Sequence, residues 1–255
     1  MKGFKNFKIK KTFVFLLLSL VLLVFIGFVE KKAAERGFHS FEVFIKGFSD
    51  VYFVDEQDIF KILKTDFDHI QGNTVLSEIA LDKIEHRVES HPFVKNAEVF
   101  KDLKGKVIIK VEQHQPVARI TRPMAADGYI SSEGIILPTS SKYTSRVLLI
   151  EGSKADELLA EDDLKVNHSD LMDLIEFINQ NEFWKAQIAS LEIDRKGNIW
   201  MHQQVGKQVI EFGKPEDIEQ KFKKIEVFYQ QILPQKGWNT YSKVNVKYKD
   251  QIICD

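Results

Sequence analysis

Residues 12–29 read TFVFLLLSLVLLVFIGFV, eighteen positions without a charge, and no other feature constrains the chain as much. As a helix rising about 1.5 Å per residue, the run covers about 27 Å, close to the hydrocarbon thickness of a bilayer. Fifteen of its residues are Leu, Ile, Val or Phe, each favouring insertion by roughly 0.3–0.6 kcal/mol near the bilayer centre. A cleaved signal peptide has a shorter apolar region and ends on small residues. This run ends in Val29-Glu30-Lys31-Lys32, and Ala33-Ala34 is the nearest imitation of a cleavage site. A buried core helix would not be uniformly apolar around its circumference so close to a terminus. The pattern therefore predicts a signal anchor, a single N-terminal transmembrane helix over 12–29. Five lysines (Lys2, Lys5, Lys8, Lys10 and Lys11) and no acid precede it, while residues 30–36 carry three bases and two acids. The positive-inside rule then makes residues 1–11 a cytoplasmic tail and places residues 30–255 on the far side of the membrane.

Charge narrows the function classes. The whole chain carries 36 basic and 37 acidic side chains. Without the five lysines of the tail, the body has 31 bases against 37 acids and is net acidic by six. Nucleic-acid binding needs a basic footprint, so no nucleic-acid partner is expected. The one cysteine, Cys254, excludes an intrachain disulfide and a cysteine-built metal cage.

Beyond a polar linker at 30–40, two patterned regions follow. In FEVFIKG, Phe41, Val43 and Ile45 share a parity, as a half-buried strand requires. Asp55 stands where a helix N-cap belongs, before Ile59, Ile62 and Leu63 on one face. A second helix fits Ser77–Ser90 and stops at His91-Pro92. VKNAEVF and KVIIKVEQ alternate as strands around a DLKGK turn, where Gly105 supplies φ > 0. Residues 41–113 thus spell β-α-α-β-β. Residues 114–255 read as a strand-rich mixed α/β domain, and the whole as α+β. Its strands are expected at 116–122, 128–138 with a turn at Gly134, 145–152, 189–194, 198–203, 207–213 and 242–248. Helices are expected at Ser169–Glu182 and Pro215–Leu233.

Motif-based chemistry is missing from this pattern. The sequence has no HExxH, G-x-S-x-G, GxxxxGK[ST] or G-x-G-x-x-G. His86 and His91 are five apart, about 140° around a helix, and do not converge on one ion. The acidic run Glu161-Asp162-Asp163 lacks the glycine turn and ligand spacing of a calcium loop. No catalytic, cofactor-binding or metal-ligating residue is assigned, and the expectation is a non-enzyme without a cofactor.

Tail, anchor, β-α-α-β-β module and strand-rich domain, in that order, resemble the bacterial cell-division family FtsQ, also called DivIB. Local sequence carries the resemblance. His91-Pro92-Phe93-Val94 resembles the family's helix-to-strand junction, and Pro116-Val117-Ala118-Arg119 the start of its second domain. GYISSEGIILP resembles its aromatic, turn and apolar-strand pattern, with Ser131-Ser132 where the family often has Asp. Val244-Asn245-Val246-Lys247-Tyr248 is similar to a V-D-L-R-Y-type last strand. The resemblance implies a POTRA-like module at 41–113 and a scaffold of the division machinery at the septum of the inner membrane. It implies partners of the FtsB (DivIC) and FtsL type, bound in part by strand addition at the last strand, and other divisome components bound through the POTRA-like module. The lipid bilayer holds residues 12–29 in that reading. Candidate partner-binding residues are Arg195, Val244, Val246, Lys247, Tyr248, Gln251 and Ile252. Core packing is the competing reading for the two valines, and a solvated turn the competing reading for Arg195. Two other functions fit parts of the pattern: a POTRA-containing envelope secretion or assembly factor, and an anchored envelope enzyme whose site forms only in the fold.

Overall fold

The computed structural model describes residues 11–34, 37–47 and 53–255. Helix α1 runs Lys11–Ala34. From Val14 to Val29 its side chains are exposed on every side, Phe15 at 80% and Leu23 at 65%. Among the described residues, no helix is long and apolar enough to cross a membrane; the described side chains of α1 form a shorter stretch than the expected span 12–29. Lys2, Lys5, Lys8 and Lys10 of the tail and residues 35–36 of the linker lie outside the described residues.

The rest divides into two compact units, one holding residues up to 46 and 54–112, the other 47–53 and 113–255. In the first, β1 (Ser40–Lys46), α2 (Glu56–Asp66), a 3-10 turn (Leu76–Glu78), α3 (Leu81–Glu89), β2 (Val94–Lys101) and β3 (Lys106–Gln113) follow in order. The sheet order is β1-β3-β2. β1 runs parallel to β3 from Ser40 opposite Lys106 to Lys46 opposite Glu112. Asp55 caps α2 in a reciprocal box with Asp58, satisfying two amides of the first turn. The expected helix at Ser77–Ser90 starts later, because Ile79 and Ala80 are extended and Ile79 is buried. Ile59, Leu63, Ile84 and Val88 from the helices pack with Val43, Val107 and Ile109 from the sheet, each under 9% exposed. Gly105 closes the β2–β3 turn at φ 91°, and a Cβ there would stand 2.8 Å from the Gly37 carbonyl oxygen.

The second unit is built on nine strands: β4 (Pro116–Ile120), β5 (Gly128–Ser131), β6 (Ile136–Pro138), β7 (Leu148–Glu151), β8 (Ile188–Ile193), β9 (Ile199–Gln203), β10 (Val209–Gly213), β11 (Lys243–Asn245) and β12 (Ile253–Cys254). Their order is β12-β11-β10-β9-β8-β7-β4-β5-β6. β8, β9 and β10 form the antiparallel meander expected from their turns, and β5 turns into β6 at Gly134. Phe53 is buried with this unit, edge-on to Tyr129 and Tyr143 at 5.1 and 5.2 Å.

Helices cover this sheet. Helix α4 (Ala155–Leu159), α5 (Leu164–Asn167) and α7 (Glu182–Gln187) are four to six residues long, too short for a sequence periodicity, and were not expected. Helix α6 (Ser169–Gln180) buries Leu171, Leu174, Ile175 and Ile178. The expected helix from Pro215 starts instead at Ile218, because Asp217 sits at φ 50°. It runs as α8 (Ile218–Val227), widens into a π turn (Phe228–Ile232) and ends as α9 (Leu233–Lys236). Leu174, Ile178, Leu191, Met201, Phe212, Phe222 and Val244 belong to one core.

Candidate functional site

Strand addition needs a border with unpaired amides and carbonyls, and the nine-stranded sheet has two. At one border, β6 is three residues long and ends in exposed Pro138, which has no amide to donate. The other border holds the residues singled out from the sequence, Arg195 excepted.

There β11 lies parallel to β10, with Val209, Ile210 and Glu211 opposite Lys243, Val244 and Asn245. Val244 and Val246 point into the core and are fully buried. The Val246 amide donates to the Glu211 carbonyl at 3.1 Å. The two valines thus hold the border from inside and offer no side chain to a partner. The expected strand 242–248 is a correction in length. Pairing stops at Asn245, whose side-chain oxygen accepts the Lys247 amide at 3.1 Å and folds the chain out of the sheet.

Charge pins the same stretch. Glu211 Oε2 accepts from Lys243 Nζ at 2.7 Å and from Asn245 Nδ2 at 2.9 Å, and its Oε1 accepts from Lys247 Nζ at 2.7 Å. The glutamate side chain is only 12% exposed. Hydrogen bonds from Lys243 and then Lys247 hold its carboxyl below the usual glutamate range. Reciprocally, the bond to Glu211 raises Lys247. Lys247 Nζ also stands 5.0 Å from the centre of the Tyr248 ring. From α8, Lys224 Nζ donates to the carbonyls of Val246 and Tyr248, and burial depresses its pKa. Tyr248 itself is 48% exposed.

Beyond Tyr248 the chain turns back. Asp250 takes the left-handed conformation at φ 56°. Residues 251–255 then alternate: Gln251, Ile253 and Asp255 face solvent, while Ile252 and Cys254 are half-buried against the core. Ile253 and Cys254 form β12, antiparallel to β11 with Cys254 opposite Val244 and Ile253 opposite Asn245. The border of β11, expected to be open, is therefore covered by the chain's own backbone. Gln251 and Ile252 belong to that covering segment rather than to an extension of the last strand. Arg195 is exposed in the β8–β9 turn, at the end of the sheet where β10 stops at Gly213 and where Lys247 follows β11.

Sequence reasoning missed β12, Glu211 and Lys224. Glu211 sits at solvent parity in VIEFG, but its pairing with lysines 32 and 36 positions later depends on a parallel contact that the sequence does not announce.

A cleft of about 560 Å³ opens elsewhere in this unit, between α7 and the π turn, walled by Phe183, Trp184, Tyr229 and Trp238. Its titratable groups are Glu226 and Tyr229. Burial pushes the Tyr229 phenol up to about 12, so it stays protonated, with Gln203 and Gln187 as hydrogen-bond partners. A neutral phenol beside one carboxylate gives no activated nucleophile. Among the described residues no group of three His, Cys, Asp or Glu side chains could hold a metal ion.

Residues 115–255 match the family model described as FtsQ/DivIB, C-terminal related. Residues 39–112 match the model of a POTRA-like domain. No curated protein matches the chain by sequence.

Proposed function

The chain belongs to the FtsQ/DivIB, C-terminal related family, and from that premise we propose that it is a non-enzymatic scaffold of cell division, anchored in the inner membrane and bound to small coiled-coil division proteins. FtsQ/DivIB domains point to a cell-division scaffold at the septum, and the family is generally non-enzymatic. The observation that carries the reading is the order of the two matches, a POTRA-like domain at 39–112 followed by the family domain at 115–255.

The finer parts of the proposal rest on particular features. Anchoring is supported by the uncharged run 12–29, by the lysines before it and by the exposed apolar side chains of α1. Residues 41–113 serve as the recruitment module and residues 114–255 as the partner-binding domain. Partners of the FtsB (DivIC) and FtsL type engage the β11 border, with an extended partner segment hydrogen-bonding to the sheet and exposed Tyr248 as the side-chain anchor. Lys247 follows the end of that border and Arg195 lies in the β8–β9 turn at the same end of the sheet, and each suits an acidic residue on the partner.

Depletion tests the cellular role. Cells losing the protein should elongate without septating, and normal division would refute the proposal. Purification of the full chain from detergent extracts should bring down single-span coiled-coil division proteins, identified by mass. Recovery of secretion components instead would favour an envelope-assembly role.

A further inference from the structure

Strand addition at β11 meets an obstacle in this chain: β12 already lies there. The hydrogen-bond directions define what it covers. The amides of Val209 and Val246 donate to Ser242 and Glu211, so the even-numbered positions of β11 face β10. The odd-numbered positions face outward. The Lys243 amide donates to the Asp255 carbonyl at 3.1 Å, and the Asp255 amide donates back to the Lys243 carbonyl at 3.0 Å. Alternation of bonded and non-bonded pairs in an antiparallel ladder makes Asn245 and Ile253 the next bonded pair. Residues 253–255 thus occupy the outward groups of both Lys243 and Asn245. The Lys247 amide, third in the row, is held by Asn245 Oδ1. Outside β12, by contrast, one residue of a two-residue strand presents its backbone, a short template for pairing.

We infer that residues 249–255 are a displaceable strap, and that a partner strand takes the place of β12 on Lys243 and Asn245 instead of adding outside it. This inference rests on the strand-addition reading of the proposed function. Three features make the strap separable from the sheet. Its pairing with β11 spans only residues 253–255. Its two inward side chains, Ile252 and Cys254, are only half-buried. Lys224 and Glu211 fix residues 243–248, whereas the side chains of Lys249, Asp250, Gln251, Ile253 and Asp255 are exposed and the far end of the strap is held through the Asp255 carbonyl, which accepts from the Ser242 and Lys243 amides and the Ser242 hydroxyl. Asp250, in a backbone conformation unfavourable for a non-glycine residue, is the natural hinge. Leaving, the strap would uncover the outward groups of Lys243 and Asn245 without disturbing Val244 and Val246. The partner it admits is an extended segment with a small apolar side chain opposite Val244, where Cys254 now sits, and polar or exposed side chains on either side.

Residue-resolved hydrogen exchange on the full chain in detergent micelles tests the opening. Along β11, the Lys243 and Asn245 amides should exchange at least about tenfold faster than those of Val244 and Val246, because only the former depend on the strap. Equal protection along β11 overturns the inference. A second arm uses the chain lacking residues 251–255 and a fluorescent peptide of residues 249–255 carrying Cys254→Ser. The peptide should bind the shortened chain saturably and the full chain about tenfold more weakly or not at all. The division protein recovered with the full chain should likewise bind the shortened chain about tenfold more tightly. A partner that binds both chains equally, or the shortened one less well, overturns the strap and leaves the proposed function standing. A partner that binds neither chain overturns both.

Discussion

Replacing Glu211 by Gln keeps the size of the side chain and removes the charge that gathers Lys243, Lys247 and Asn245. Two lysine contacts at 2.7 Å are weakened. A charge-assisted hydrogen bond in a protected place contributes about 1.5–3 kcal/mol, and an exposed ion pair about 0.2–1 kcal/mol. The carboxylate is 12% exposed and the lysines 42% and 35%. Solvent screening on the lysine side draws the sum toward the lower figures, to about 1–2 kcal/mol for Glu211→Gln. The assay has a convenient reporter, since all three tryptophans, Trp184, Trp200 and Trp238, lie in the second unit. With a urea m-value of about 2 kcal/mol/M, the fluorescence midpoint should fall by about 0.5–1 M at neutral pH. Acid should erase the difference. The carboxyl of Glu211 is depressed in the folded chain, so its contribution is complete above the unfolded glutamate value of 4.5. It is lost as pH falls through the lower folded value. A variant as stable as the parent at neutral pH, or a gap that persists unchanged in acid, refutes the reasoning.

Other expected outcomes follow from the same contacts. Tyr248→Glu should leave the stability read by tryptophan fluorescence within about 0.5 kcal/mol of the parent, because the ring is half-exposed, yet weaken partner capture at least about tenfold in a pull-down titration. Lys224→Met releases the carbonyls of Val246 and Tyr248 and should cost about 1–2 kcal/mol, read by the same fluorescence. Gly105→Ala forces a side chain into a positive-φ turn and against the Gly37 carbonyl. It should cost the first unit about 1–2 kcal/mol, seen by circular dichroism with the tryptophan transition unmoved.

How much of this was legible in the sequence differs from place to place. Alternation exposed β1 and the β2–β3 hairpin, because one face of each strand is buried and the other is not. Glycines with positive φ at Gly105 and Gly134 marked true turns. Asp55 was readable as a cap because its carboxylate does local work. The border was harder. Val244, Val246 and Tyr248 share a parity, which suggests one strand through 248, but the Asn245 side chain intercepts the Lys247 amide and ends the ladder after three residues. β12 follows a Lys249-Asp250 break and has two residues, below the length at which alternation carries information. Its existence depends on the border of β11, a tertiary fact. For the same reason a proline at Val246 is a poor probe of partner binding: it would remove a bond the chain makes to its own Glu211 carbonyl.

The most direct measurement of the central claim is a photo-crosslinking residue placed at Tyr248 in dividing cells. The account predicts an adduct with a single-span coiled-coil division protein, lost when septation is blocked by depleting that partner. Adducts only with other proteins, or none at Tyr248 while a control position such as Phe44 on β1 reacts, would contradict it.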